Sequence, residues 1–146
     1  MIWNMRKSLL FFLMTLVLCA CASAQQTDAA IVHFYRYHQM QGAALKPSVY
    51  CDGQELGRMQ NGRVFDVHVA PGSHTFYAND KQAGAAINLE PGKEYYFRTD
   101  LQVGFLKGHF RLTMVTPEQG KFDVTNLKPA DADNVLHDKF PVSTAP

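Results

Sequence analysis

The stretch VAPGSHTFYA, residues 69–78, carries His74 just after a Pro71-Gly72 pair, and His68 stands immediately before it. Imidazoles on both sides of a tight turn are one way to build a metal site. If a three-residue turn joins the flanking strands, His68 and His74 lie opposite each other, close enough to share an ion. Zinc needs three or four ligands. His33 and Asp66 are of the right type to complete the set, but no spacing brings them to the pair. The simpler chemistry is structural. Pro-Gly bends the chain, His74 hydrogen bonds the turn backbone or lies on the polar face, and His68 is the solvent-side residue of an alternating strand. The stretch is therefore expected to turn a corner, with no metal and no cofactor. A metal-binding or hydrolytic protein using His68 and His74 is the alternative.

The other reactive residue types carry little more. Asp52-Gly53 has the composition of a two-residue hairpin turn, which accounts for the carboxylate without a catalytic role. Asp66, Asp100 and Asp123 are isolated on alternating segments and lack the spacing of paired acids. Ser73 precedes His74 without a Gly-x-Ser-x-Gly elbow around it. Cys51 is either a reactive or intermolecular thiol or, as we expect, a small buried hydrophobe on a strand. No catalytic residue is assigned, and the protein is not expected to be an enzyme.

The elements that hold these residues read as short strands. Segments 30–37 (AIVHFYRY), 48–51 (SVYC), 54–59, 64–69, 73–78, 85–90, 94–101 and 110–115 are β-branched, aromatic or alternating, and turn residues bound most of them. Phe65, Val67 and Val69 share one face of their segment, and Asp66 and His68 share the other. Residues 122–127 are a last short strand or an extended segment. Residues 130–139 read as one weak helix, with Asp131 and Asp133 early and Lys139 late. Turns every eight to twelve residues and no strand–helix alternation predict an all-β fold, an antiparallel sandwich of seven to eight short strands with a short C-terminal helix. VAPGSHTFY and LEPGKEYYF share an apolar, Pro-Gly, polar, aromatic plan and read as two uses of one hairpin device.

The first residues read differently. Arg6 and Lys7 precede an apolar run from Ser8 to Leu18, 11 residues and too short to span a bilayer, and small residues follow. This is the layout of a cleavable export signal. Leu18-Cys19-Ala20-Cys21 resembles a lipoprotein processing site with Cys21 as the lipidated residue, although Cys19 departs from the usual small residue at its position. Ala22-Ser23-Ala24 offers a competing cut after residue 24. The expected organisation is a signal peptide over 1–20, a flexible tether over 21–29, a sandwich over 30–129, and a helix and tail over 130–146. The expected location is the periplasm or, through the lipid anchor, the outer membrane, with a soluble secreted protein as the alternative.

Composition fits a small self-sufficient domain. Of 146 residues, 47% are hydrophobic and 18% charged. Removing Arg6 and Lys7 leaves 12 basic residues (14 − 2) against 13 acidic ones, a net charge of −1. Such a near-neutral surface gives little grip on nucleic acid. Cys51 is left without an intrachain partner by the later cut, so the fold must rest on its core.

Neighbours on a strand point to opposite faces, so one aromatic of Tyr35-Arg36-Tyr37 and of Tyr95-Tyr96 must face away from the core. Tyr35, Arg36, Tyr37, Tyr96 and Arg98 form a candidate binding surface for an envelope protein or polymer. Cross-strand aromatic pairing is the reading we favour for these tyrosines. Phe105 and Leu106, between Gly104 and Gly108, are either an apolar tip for a membrane or partner or a plug over the end of the sandwich.

The segments IVHFYRY, ALKPSVYCDGQELGRMQNGRVFDVHVAPGSHTFYA, INLEPGKEYYFR and FRLTMVTPEQGKFDVTNLKPA together resemble a bacterial family called domain of unknown function 2846. Shared features are the opening Tyr-Arg strand, the Val-Tyr-x-Asp-Gly hairpin, and the Pro-Gly-x-His and Glu-Pro-Gly-Lys-x-Tyr-Tyr turns. The hairpin and first turn are also similar to PEGA-type domains. The resemblance spans residues 31–129. It implies a transthyretin-like (prealbumin-like) sandwich and brings no catalytic residues. Cys51 stands where the pattern favours an apolar or small residue. The function expected is that of an exported, lipid-anchored module that binds or spaces an envelope partner.

Overall fold

The computed structural model describes residues 28–103 and 108–140. The leader, Cys21, most of the tether, Phe105 and Leu106 lie outside the described residues.

The chain forms β1 (Ala30–Tyr35), β2 (Ser48–Cys51), β3 (Gln54–Arg58), β4 (Arg63–Val69), β5 (Gly72–Tyr77), β6 (Ala85–Leu89), β7 (Glu94–Val103), β8 (Gly108–Val115), α1 (Pro117–Val124), β9 (Lys128–Pro129) and β10 (Lys139–Phe140). One sheet runs β10-β4-β1-β7-β8, with β9 also on β4, and the other runs β3-β2-β5-β6. The all-β sandwich is thus confirmed. Its ten strands exceed the expected seven to eight because two-residue segments, β9 and β10, add themselves alongside β4. The first sheet is not purely antiparallel, whereas the second is. Parallel pairing joins β1 to β7, and both β9 and β10 to β4.

Alternation builds the core. On β4, Phe65, Val67 and Val69 are buried, and Asp66 and His68 are exposed. On β1, Ala30, Val32 and Phe34 face the same interior. Phe34 packs its ring 5.6 Å from Phe97 in its own sheet and 5.8 Å from Phe76 in the other, which ties the layers together. Each such side chain removed from water contributes about 1.5–3 kcal/mol.

The two Pro-Gly turns are not hairpins. Pro71-Gly72 carries the chain from β4 in the first sheet to β5 in the second, and Pro91-Gly92 carries it back from β6 to β7. Gly72 (φ 126°) and Gly92 (φ 67°) adopt backbone angles that side chains disfavour, which lets the chain change layers abruptly. The expected corner at residues 69–78 is therefore a sheet crossing. Asp52-Gly53 does form the β2–β3 hairpin, with positive φ at both residues (49° and 91°), as a type I′ turn requires.

The helix lies elsewhere than expected. Residues 122–127 are not a strand: α1 runs over Pro117–Val124, with Thr116 as N-cap and Pro117 in its first turn. Residues 130–139 are not an α-helix. They hold one 3-10 turn, Ala132–Asn134, and then follow the edge of β3. There the Leu136 and His137 amides both donate to Leu56 O, and Val135 bridges Gly57. Those sheet bonds take the amides that a helix would need. Among the described residues no helix is long and apolar enough to cross a membrane.

Candidate functional site

Three polar groupings stand out, and each has a definable structural cause. The first is at the β4–β5 crossing. His74 is 4% exposed, on the inner side of β5. Its Nε2 lies 2.8 Å from Ala70 O, an acceptor, so Nε2 carries a hydrogen and donates. Its Nδ1 lies 2.7 Å from Asp52 Oδ2. The other Asp52 oxygen accepts from the Thr75 amide at 2.8 Å. Two ring nitrogens face two oxygens, so a hydrogen must lie between Nδ1 and the carboxylate as well as between Nε2 and the carbonyl. Burial raises the Asp52 carboxyl, but the Thr75 amide and His74 outweigh it and hold the group below the usual carboxylate range.

Cys51, fully buried next door, points its Sγ to within 3.8 Å of the same Asp52 Oδ2. Burial, and then the Asp52 charge, push this thiol well above its ordinary range. Cys51 is thus the buried residue expected. His74 bonds the turn backbone, as one reading of the sequence had it. His68 is elsewhere, exposed on the outer face of the first sheet, beside Ile31 and Lys139. The pairing of His68 with His74 fails because the turn between them changes sheets. Asp66 instead bonds His33 Nδ1 at 2.6 Å.

The second grouping is the outer face of the first sheet, under α1. The register sets Asp66, His33, Tyr96 and Val115 in one row, and Val64, Tyr35, Arg98 and Thr113 in the next. His33 stacks on Tyr96 at 4.4 Å. The Tyr35 hydroxyl donates to Asp123 Oδ2 on α1, and Gln119 donates to Oδ1 at 2.6 Å. Arg98 holds both oxygens of Asp100, at 2.8 and 3.0 Å, and its guanidinium lies 5.8 Å from the Tyr37 ring. Burial raises the Asp123 carboxyl; Tyr35, Tyr37, Gln119 and Arg98 outweigh it and hold the group below its usual range. Burial, with Glu94 nearby, pushes Tyr96 up to about 12.

The candidate binding surface is therefore largely closed. Tyr35 and Tyr96 are buried, and Tyr37 and Arg98 are half-buried. Sequence reasoning found these residues but missed Gln119 and set Asp123 aside as an isolated strand carboxylate; both cover them. The Thr116-Pro117-Glu118 start of a helix was the available signal.

Arg36 is the third case. It is fully buried, at the end of the sandwich opposite the His74 corner. Its guanidinium sits 5.0 Å over the Phe110 ring and donates to Leu45 O (2.8 Å) and Gly42 O (2.9 Å), pinning the segment that leads to β2. Nε has no hydrogen-bond partner among the described residues. A cavity of about 310 Å³ shares Leu45 and Phe110 with this setting.

A family model described as "Protein of unknown function (DUF2846)" matches residues 26–110. The chain belongs to DUF2846. The DUF2846 match takes in β1 to β7 and the first residues of β8, including Asp52, His74 and Arg36, whereas Gln119 and Asp123 of α1 lie beyond it. The chain is 28% identical over 91 residues to an "Uncharacterized protein" of Haemophilus influenzae (strain ATCC 51907 / DSM 11121 / KW20 / Rd), covering 61% of this chain and 54% of that protein. The chain thus spans about half the length of this curated relative. No solved structure matches.

Proposed function

We propose that this DUF2846 protein is an exported, lipid-anchored envelope protein whose sandwich is a non-catalytic module that engages a partner through the end farthest from the anchor. The observation that carries export is the leader itself, Arg6-Lys7, the apolar run to Leu18, and Leu18-Cys19-Ala20-Cys21. The fold supplies the geometry. A chain anchored at Cys21 enters at Ala30, beside Val69 and next to the Pro71-Gly72 and Pro91-Gly92 crossings. An anchor at Cys21 would lie toward that end. The opposite end carries the segment pinned by Arg36, where Met40 (93% exposed) and Leu45 (52%) face solvent, and Val103 (70%) at the end of β7. These three, half of the six large apolar side chains exposed among the described residues (the others being Met114, Phe122 and Leu136), offer a contact surface for an envelope protein or polymer.

His74, Asp52, Tyr35 and Asp123 are joined to one another or to backbone in bonds that hold elements together. This supports a binding module over a hydrolase.

Mass spectrometry of the mature N-terminus tests the anchor: diacylglyceryl-modified Cys21 is expected, and an unmodified N-terminus at Gln25 overturns it. Site-specific photocrosslinking in intact cells tests the surface. Position 40 is expected to capture a discrete partner, and position 88, on the exposed side of β6, is not. Equal labelling from both overturns the assignment.

A further inference from the structure

We propose that Cys51, Asp52 and His74 form a three-ligand site for a zinc-class divalent cation at the β4–β5 corner. One candidate ligand atom from each of the three lies within 4.8 Å of the others. The donor set is a thiolate, a carboxylate and an imidazole, which suits a borderline-soft ion.

Geometry favours the ion in two respects and asks for one adjustment. The Cys51 Sγ to Asp52 Oδ2 separation of 3.8 Å is close to the ~3.6 Å between tetrahedral sulfur and oxygen ligands of zinc. Asp52 Oδ2 and His74 Nδ1, at 2.7 Å, need to part to about 3.3 Å, and the carboxylate sits on a hairpin turn whose side chain is 29% exposed. The orientation of His74 is already set. Its Nε2 donates to the Ala70 carbonyl, the outer-shell bond that directs the other nitrogen of a metal-bound imidazole at its ion.

At 2.7 Å the Nδ1–Oδ2 gap holds a hydrogen, which an ion would displace. A divalent ion bound by thiolate, carboxylate and neutral imidazole makes a site of zero net charge, the least costly arrangement for a buried cluster. The protons leave from the Cys51 thiol and from His74 Nδ1 to solvent. Asp52 is the most exposed of the three. An ion there would fasten the β2–β3 hairpin to β5.

The test uses the chain as purified from expressing cells, stripped with a chelator and titrated with zinc chloride, then with cobalt chloride for its spectrum. One equivalent of zinc is expected, with a thiolate-to-cobalt charge-transfer band. Cys51→Ala, a small side chain in a small buried place, is expected to keep the circular dichroism of the fold and abolish the band. Its zinc affinity should fall by at least the roughly 10–100-fold that loss of a supporting outer-shell contact costs. Asp52→Asn is expected to weaken zinc comparably. Absence of stoichiometric zinc in the folded wild-type chain overturns the proposal. So does a cobalt spectrum without the thiolate band, or unchanged affinity in Cys51→Ala, which would place the ion at other histidines.

Discussion

The Tyr96 ring occupies the space that a side chain at Gly120 would need: a Cβ there would overlap Tyr96 Cγ, Cβ and Cδ1. The contact lets α1 lie flat on the outer face of the first sheet and brings Asp123 onto Tyr35. Helix propensity alone makes Gly120→Ala stabilising by about 1 kcal/mol. The overlap involves atoms near the backbone of β7, which cannot swing aside, so the clash should win and cost about 1–3 kcal/mol net. Urea denaturation of the variant reads the sign directly.

Asp123 makes that contact pH-dependent. Its carboxyl is held below the usual range in the folded chain, and in the unfolded chain it titrates near ~3.9. A depressed folded value adds stability that is fully present above the unfolded value and lost as pH falls through the folded one. Wild-type stability should therefore drop on acidification below about pH 4, and Asp123→Asn should be less stable at neutral pH with a shallower acid slope. Urea midpoints at a series of pH values measure both.

His74 and His68, on either side of the Pro71-Gly72 crossing, should behave oppositely. His74→Ala leaves Asp52 Oδ2 and the buried Ala70 carbonyl without their donor and is expected to cost about 2–3 kcal/mol. His68→Ala, on an exposed strand face, should stay within about 0.5 kcal/mol of wild type. Thermal and urea melts of the pair decide it.

Arg36→Lys should not rescue Arg36. A single ammonium cannot span Gly42 O and Leu45 O while lying over Phe110 in the manner of the planar guanidinium. A loss of about 1–3 kcal/mol is expected. Limited proteolysis should show faster cutting within residues 37–47, with the sandwich strands still protected.

Alternation on β4 and the Asp52-Gly53 hairpin were legible because period-two burial and a two-residue turn are local matters. Pro71-Gly72 and Pro91-Gly92 were legible as bends but not as sheet crossings. Turn chemistry fixes where the backbone reverses, whereas the layer the next strand joins depends on partners far along the chain. The Asp52–His74 bond, 22 residues apart, was hidden for the same reason. Helix α1 was missed although Thr116-Pro117-Glu118 announced it, because it lacks an apolar stripe: Gly120 and Asp123 are its buried residues. What holds it down is a glycine-to-ring contact, the Asp123–Tyr35 bond and an ion pair from Lys121 to Glu94 at 3.0 Å, which no periodicity reveals. Residues 130–139 misled for the converse reason. Their charges fit a helix, but their amides found the edge of β3.

The first strand lies in the middle of its sheet, flanked by β4 on one side and parallel β7 on the other, with Ile31 beside Glu94, 63 positions later (94 − 31). Until that distant segment has been synthesised, one side of the opening strand has no mate. Assembly therefore waits on a long-range closure whose entropy must be met early, and refolding should be slow for so short a chain, in the range of milliseconds to seconds typical of such topologies. During synthesis the opening strand has to await residues 94–103 before it can be flanked on both sides.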